Sequence, residues 1–237
     1  MAHVHEPHTG HRSVSGGLAR AAVFGASDGL VSNVSLILGF AGSGVDNDVV
    51  RLAGIAGAVA GAISMAAGEW VSVTSQNDLI ERELAIERRE LEHNREHETE
   101  ELAATYESHG MSPEQAAAAA EEVMRQPDVA LAVHAREELG IDPHDLPSAF
   151  AAAALSLACF LFGAVLPLIP WYVGSGSGAA IGSLAIGVVA AGAVGGVVAR
   201  FAERPILFGV ARQVVIVLLA CGVTYLIGEL VGVNLGG

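Results

Sequence analysis

The segment LARAAVFGASDGLVSNVSLILGFAG, residues 18–42, decides the fold class of this chain. A helix needs roughly 20 residues to cross the hydrocarbon core of a bilayer, and within this segment only Arg20 and Asp28 carry a formal charge. The segment differs from a cleaved signal peptide, because its apolar part is too long and the tail before it is His-rich rather than basic. It therefore predicts a transmembrane helix with a carboxylate inside it.

Four further apolar segments have a similar length. The chain has 237 residues, of which 52% are hydrophobic and 5% aromatic, and its mean hydropathy is +0.49. A soluble domain of this size would carry more charge and fewer glycines, whereas abundant Gly and Ala are expected where helix backbones approach closely in lipid. We predict an all-α membrane protein with five spans, at about residues 18–42, 51–77, 148–171, 178–200 and 206–232.

The charge of the chain is concentrated between the second and third predicted spans. Residues 78–145 contain 19 of the 26 acidic residues and six of the 12 basic ones, which is −13 of the total formal charge of −14. This acidic block favours cations as partners and argues against nucleic acid. The two cysteines, Cys159 and Cys221, lie in apolar segments and are interpreted as packing residues.

Arginines in short loops predict the orientation. They lie beside the start of the first span and around the link between the fourth and fifth spans, whereas the loop 171–177 has no basic residue. The N-terminus and the acidic block are therefore expected in the cytoplasm, and the membrane is expected to be a bacterial plasma membrane. The predicted domains are a His-rich cytoplasmic tail (1–17), two spans (18–77), the acidic block (78–145), three spans (146–232) and a short tail (233–237).

Two carboxylates lie inside the first two predicted spans. Asp28 and Glu69 are both roughly 12–15 Å from the cytoplasmic end, because the second helix runs in the opposite direction at 1.5 Å per residue. Met65 shares a face with Glu69, and Asn33 lies next to the face of Asp28. Ionisable groups in a membrane cost about 2.5–3.5 kcal/mol each and usually mark a pathway. We predict that these four residues line a transport pathway; the alternative is that the two acids are caps or partners of surface arginines.

The acidic block predicts three helices inserted between the second and third spans. Residues 77–109 contain neither Pro nor Gly and continue the second span as a long helix. Ser112 and Pro113 mark the start of a second helix that ends near residue 125, and Pro127 begins a third that ends near Gly140.

Four glutamates, Glu87, Glu90, Glu98 and Glu101, share one face of the long helix, since the two pairs are offset by eleven residues. Carboxylates with imidazoles suit iron, manganese or zinc, and His93 and His97 lie close to this face. Glu87 and Glu98 would be about 16 Å apart on a straight helix, too far for one ion. Three possibilities remain: a break near Asn94, several sites, or ligands from other helices, such as His134 and Glu138. The simplest alternative is a solvated acidic face.

The membrane motifs resemble those of the vacuolar iron transporter family, which includes bacterial and nodulin-like iron and manganese transporters. The residues that carry the resemblance are SDGLVSN (27–33), AISMAAGEWVSVTSQ (62–76) and AREELG (135–140), together with the acidic insertion. It extends over about residues 18–232. The resemblance implies a homodimer of five-helix subunits, without a prosthetic group, that moves ferrous iron or similar ions out of the cytoplasm against protons.

The resemblance also implies roles for individual residues. The family's pathway residues in the first two spans correspond to Asp28 and Met65, and a further family acid falls at Gly57, for which Glu69 would substitute. The metal-binding module of the family uses four glutamates at spacing three, eight, three, followed by a Met and a Glu four residues apart, and His134 occupies the Met position. The implied metal ligands are Glu87, Glu90, Glu98, Glu101, His134 and Glu138.

The main hypothesis is a secondary transporter, not an enzyme, that exports Fe²⁺ and/or Mn²⁺ by exchange with H⁺. Asp28 and Glu69 would bind the ion and exchange protons, since cation and proton compete for the same carboxylates, and Met65 would disfavour Mg²⁺ and Ca²⁺. The expected partners are divalent metal ions, protons, membrane lipid and a second copy of the chain. The alternatives are a membrane-anchored metal-binding or ferroxidase-like protein and a structural membrane protein with an acidic solvated domain.

Overall fold

The computed structural model of the chain describes residues 17–235, and side chains for residues 17–232. The predicted His-rich tail up to residue 16, with His3, His5, His8 and His11, lies outside the described residues, as do the last two residues. The described part is helical, and no strand occurs in it.

The helices follow one another along the chain and divide into two compact units. The membrane unit contains residues up to Trp70 and from Ala149 onwards. The acidic unit contains Val71–Ser148. A 3₁₀ turn, Leu166–Leu168, joins the sixth and seventh helices. The helices are α1 (Gly17–Gly42), α2 (Asn47–His93), α3 (Arg95–Ser108), α4 (Pro113–Met124), α5 (Pro127–Glu138), α6 (Ala149–Val165), α7 (Ile169–Val173), α8 (Gly176–Phe201) and α9 (Ile206–Leu235).

Five helical segments in the described chain are long and apolar enough to cross a membrane. They are α1, α2, α6 with α7, α8, and α9 as far as Gly232, which confirms the predicted number of spans. The second of them is the start of a longer helix, because α2 has 47 residues in all and extends to His93 in the acidic block.

Helix α1 packs against α6, α8 and α9 through small residues. A Cβ atom built on Gly29 would lie 2.1 Å from the carbonyl oxygen of Phe160, and one on Gly163 would lie 2.3 Å from that of Ala26. Only glycine fits at either position, because the backbones of α1 and α6 are in contact. This is the role of glycine that the sequence predicted for the apolar segments.

Substitution of Gly228 is expected to destabilise the membrane unit. A Cβ atom at Gly228 in α9 would lie 1.9 Å from the carbonyl oxygen of Gly39 in α1, whereas one at Gly222 in the same helix would meet nothing within 4 Å. Overpacking of this kind costs about 1–3 kcal/mol. Gly228→Val should therefore lower the melting temperature of the detergent-solubilised protein by several degrees, and Gly222→Val should change it little. Equal melting temperatures for the two variants would contradict this close packing.

One face of α1 is buried against α8 and α9. Leu30, Val34 and Leu38 form a core cluster there with Ala191 and other residues, including Cys221. Both cysteines are free, and Cys221 is buried in this cluster as predicted for a packing residue. Asp28 and Ser32 lie outside this buried face and are exposed.

The acidic unit differs from the prediction of one continuous helix over residues 77–109. Helix α2 ends at His93 and α3 begins at Arg95, with Asn94 between them at φ −123° and ψ 34°. The Asn94 amide donates a hydrogen bond of 2.5 Å to Glu90 Oε2, a local bond of the type by which Asn competes with helical hydrogen bonding. Of the three possibilities left open for the glutamates, the structure therefore contains the break near Asn94.

The remaining helices of this unit begin where the sequence predicts. Ser112 Oγ accepts a hydrogen bond from the Gln115 backbone in a capping box, and Pro113 is the first residue of α4. Pro127 likewise begins α5. The Arg95 guanidinium donates to the carbonyl oxygen of Met124, which fixes the start of α3 to the end of α4.

Candidate metal sites

The membrane unit contains an open cavity of about 360 Å³ between α1 and α2, next to Phe160 of α6. The α2 wall consists of residues that recur every three or four positions, which places them on one face of the helix. Two of them are glycines, and the ends of the Leu36 and Phe160 side chains lie where a Cβ atom of Gly57 or Gly61 would be. The α1 wall is formed by Asp28, Ser32, Asn33 and Leu36, and the α2 wall by Gly57, Gly61, Ser64 and Met65.

Three of the four predicted pathway residues line this cavity. Asp28 is exposed within the subunit, and no arginine pairs with it in the described part of the chain, so the alternative of a surface ion pair does not apply to this carboxylate. Met65 lines the cavity and also packs against the cluster around Phe160. The cavity therefore combines a carboxylate with a thioether.

Asn33, the third of these residues, is only 2% exposed. Its Nδ2 donates a hydrogen bond of 2.6 Å to the carbonyl oxygen of Ala164 in α6. Its Oδ1 is buried and has no hydrogen-bond partner. The amide is therefore held by one atom and leaves the other unpaired.

The fourth predicted pathway residue, Glu69, is not part of the cavity wall. Its carboxylate accepts a hydrogen bond of 2.8 Å from Arg20 in an ion pair between α2 and α1. The structure thus differs from the expectation that Glu69 and Asp28 face one space. The physical reason is that Arg20 lies two turns before Asp28 on α1 and offers Glu69 a cation, so Glu69 follows the alternative of an arginine partner.

A second group of potential ligands lies in the acidic unit. Four side chains, Glu87, Glu98, His134 and Glu138, each offer one ligand atom, and these atoms lie within 4.8 Å of one another. Ligands on opposite sides of a transition metal are about 4.2 Å apart, since each bond is about 2.1 Å long. A small closure would therefore bring all four onto one ion.

His134 lies at the centre of this acidic cluster. Its side chain is 0% exposed, and its Nδ1 is 2.9 Å from Glu138 Oε1, 3.2 Å from Glu87 Oε1 and 3.7 Å from Glu98 Oε2. Three carboxylates thus surround one imidazole nitrogen. Such a set of oxygen and nitrogen donors suits divalent iron, manganese or zinc.

The cluster makes its own carboxylates harder to ionise. Burial, followed by the negative charge of Glu138, raises the pKa of Glu87 to about 7. Burial is also the main cause that raises the pKa of Glu98. Both carboxylates lie in the acidic unit, outside the apolar segments of the chain. A bound dication would offset the repulsion between these charges.

The other two predicted metal ligands lie beside this cluster rather than in it. Glu90 accepts the hydrogen bond of Asn94, and Glu101 is exposed, although its charge contributes to the raised pKa values of Glu87 and Glu98. His93 and His97 are exposed and are not among the four clustered side chains.

Sequence reasoning missed Ser64, Gly61 and Phe160 as cavity residues. A signal for the α2 wall was present, because Gly57, Gly61 and Met65 recur every four residues along one stripe. No comparable signal marks Phe160, which reaches the cavity from a helix about a hundred residues further along the chain.

Known proteins resemble the chain over almost its whole length. It is 39% identical to the vacuolar iron transporter of Acanthamoeba castellanii over 230 residues, which cover 93% of this chain and 82% of that protein. It is 28% identical to vacuolar iron transporter 1 of Oryza sativa subsp. japonica over 215 residues, or 90% of this chain and 85% of the relative. Over 60 residues it is 58% identical to vacuolar iron transporter homolog 1 of Arabidopsis thaliana, 25% and 30% of the two chains.

These relatives are named as transporters, which agrees with the expectation that this chain is not an enzyme. Together with the five apolar helices, they identify an integral membrane protein. The sequence profile of the VIT family matches residues 19–229, from the first apolar helix to the last. Because this match includes the acidic block as well as the membrane unit, the chain belongs to the VIT family.

Proposed function

We propose that the chain is a secondary transporter that exports Fe²⁺ and/or Mn²⁺ from the cytoplasm in exchange for protons. The observation that carries this proposal is the cavity in the membrane unit, where Asp28, Asn33 and Met65 line one space. Relatives named vacuolar iron transporters support transport of a metal ion. Export from the cytoplasm is proposed because the family resemblance implies it, and the arginine distribution favours a cytoplasmic N-terminus. The proposed membrane is a bacterial plasma membrane.

The cavity residues account for ion choice and for proton coupling. A carboxylate with a thioether favours a transition metal over Mg²⁺ and Ca²⁺, which take oxygen ligands. Asp28 must be ionised to bind the metal, so a proton that returns to it would release the ion. One carboxylate can thus serve both the metal and the proton in alternation.

The exposure of Asp28 supports a homodimer. In the single subunit this carboxylate is exposed on α1, a helix long and apolar enough to span a membrane. A charge that faces lipid costs about 2.5–3.5 kcal/mol on insertion scales. A second copy placed over the cavity would shield Asp28 from lipid and bring a second Asp28 to the same path. Two such carboxylates would balance the charge of one dication.

The acidic cluster supports a second role, the collection of dications in the cytoplasm. Glu87, Glu98, His134 and Glu138 are the proposed ligands, with Glu90 and Glu101 adding negative charge nearby. The alternative of a membrane-anchored metal-binding or ferroxidase-like protein is not favoured, because an anchor would need neither five apolar helices nor a cavity among them that contains a carboxylate.

Reconstitution of the purified full chain in proteoliposomes tests the proposed function. With Mn²⁺ or anaerobic Fe²⁺ outside and an acidic interior, we expect metal to enter while a trapped pH dye reports proton exit. Metal entry that is insensitive to the pH gradient and moves no protons would contradict antiport. Absence of entry for every divalent metal would contradict the transporter itself.

Glu69 is proposed to act at the entrance rather than at the ion's binding step, because Arg20 shares its charge outside the cavity wall. We expect Glu69→Gln to lower the initial rate at low metal concentration by about 2- to 5-fold, the effect of roughly 1 kcal/mol from a partly screened charge. The rate at saturating metal should change little. The matched control is the double variant Arg20→Gln/Glu69→Gln, which keeps the net charge of the pair. Complete loss of transport in Glu69→Gln would instead place this carboxylate at the ion.

A further inference from the structure

The amide of Asn33 has one orientation that its neighbours permit. Its Nδ2 donates to the carbonyl oxygen of Ala164 at 2.6 Å, and a flipped amide would direct two acceptor oxygens at each other. Oδ1 therefore lies on the other side, towards α2. A Cβ atom built on Gly57 of α2 would lie 3.0 Å from this oxygen and 2.4 Å from the end of the Leu36 side chain. Oδ1 therefore faces the α2 backbone at Gly57, beside Leu36.

An acceptor in this position needs a partner. Oδ1 is buried and has no hydrogen bond from the described protein, and an unsatisfied buried polar group costs about 1–3 kcal/mol. Gly57 opposite offers no side chain that could donate to it. The partner must therefore be a molecule or ion that enters from the adjoining cavity, whose wall includes Asn33.

We propose that Asn33 Oδ1 is a direct ligand of the transported cation, and that Gly57, which has no side chain, lets the ion reach this oxygen when the flexible end of Leu36 moves aside. The inference rests on the proposed function and refines it. The ion would meet an anionic oxygen from Asp28, a neutral oxygen from Asn33 and a thioether from Met65. The amide oxygen is a hard donor, so Asn33 favours Mn²⁺ and Fe²⁺ over softer ions such as Cd²⁺.

Equilibrium binding to the full-length protein in detergent tests this role without requiring transport. Free Mn²⁺ is measured by its paramagnetic resonance signal, and Cd²⁺ by competition, in a Glu87→Gln/Glu98→Gln background that disables the acidic cluster. Asn33→Leu removes the oxygen at similar volume. Gly57→Ala leaves Asn33 and its bond to Ala164 in place but puts a methyl group before Oδ1; its other close neighbour is the flexible end of Leu36, at 2.4 Å.

We expect both variants to weaken Mn²⁺ binding about 10-fold, as for loss of one ligand of about 1.4 kcal/mol, and to weaken Cd²⁺ binding about 3-fold or less. Gly68→Ala is the control, because a Cβ atom at this position of α2 meets nothing within 4 Å.

Three outcomes would overturn the inference: equal weakening for the two metals, unchanged Mn²⁺ affinity in Gly57→Ala, or no Mn²⁺ binding in the background protein. Binding as expected without transport in proteoliposomes would reject the proposed function alone.

Discussion

Asp28→Ala is expected to reduce metal transport in proteoliposomes by about 10- to 100-fold, to near the rate of protein-free vesicles. A charged ligand contributes about 1.5–3 kcal/mol, which corresponds to this range of affinity. Asp28 is the one carboxylate among the cavity residues of the described chain, so its loss leaves the ion with neutral donors only. Asp28→Asn keeps the size of the side chain and should show a similar loss, because charge rather than shape is removed.

Glu229→Ala is the matched control for Asp28→Ala. This carboxylate also lies in an apolar helix, α9, but it is not one of the cavity residues, and its removal should leave the rate close to that of the unmodified protein. The Asp28 variants should also fail to move protons under the same gradient. A normal rate in Asp28→Ala would exclude the cavity as the ion path, and with it the proposed mechanism.

The sequence alone was sufficient to predict the five spans and the convergence of Asp28 with Met65. Apolar length identifies a span because backbone polar groups in lipid must be satisfied within a helix. Two consecutive spans are antiparallel, so depth matching placed Asp28 near Glu69 and therefore near Met65, which lies one helical turn before Glu69 on the same face. Neither step depends on the detailed position of a side chain.

The ion pair of Arg20 with Glu69 could not be obtained in this way. Depth matching placed Glu69 near Asp28. The long side chain of Arg20 on α1 instead binds the Glu69 carboxylate outside the cavity wall. The anchoring of Asn33 by Ala164 is equally hidden, since it depends on how closely α6 approaches α1. That distance is set by Gly29 and Gly163, whose partners a sequence does not reveal.

Helix periodicity predicted part of the acidic cluster but not the short distance between Glu87 and Glu98. Spacing placed the four glutamates on one face but could not bring Glu87 near Glu98, because a straight helix separates them by about 16 Å. The two glutamates come together because α2 ends before Asn94 and α3 begins after it. No Pro or Gly in the sequence marks this helix end. The remaining side chains of the cluster come from α5, where His134 and Glu138 lie one turn apart, as their spacing had indicated.

Metal binding by this cluster is expected to strengthen with rising pH, by roughly 20-fold between pH 5.5 and 7.5. The ligand form of Glu87 is the carboxylate, and its pKa is raised to about 7, first by burial and then by the charge of Glu138. A group with this pKa is roughly 3% ionised at pH 5.5 and 75% ionised at pH 7.5, and the metal must compete with the proton. His134 must also be neutral to bind a metal, and burial raises the pKa of Glu98 as well. Any proton that the metal displaces from these two side chains makes the affinity rise more steeply with pH.

Mn²⁺ titrations of the full-length Asp28→Ala protein at several pH values measure this effect, since that background disables the proposed membrane site. Glu87→Gln should bind Mn²⁺ about 10- to 100-fold more weakly at pH 7.5, as for loss of a charged ligand, and should flatten the pH dependence. Glu107→Gln removes an exposed carboxylate of α3 outside the cluster and should alter neither. A Mn²⁺ affinity that stays constant from pH 5.5 to 7.5 would contradict this prediction. A carboxyl group with a pKa of about 7 must release its proton to bind the metal at pH 5.5, so a constant affinity would mean that Glu87 is not a ligand.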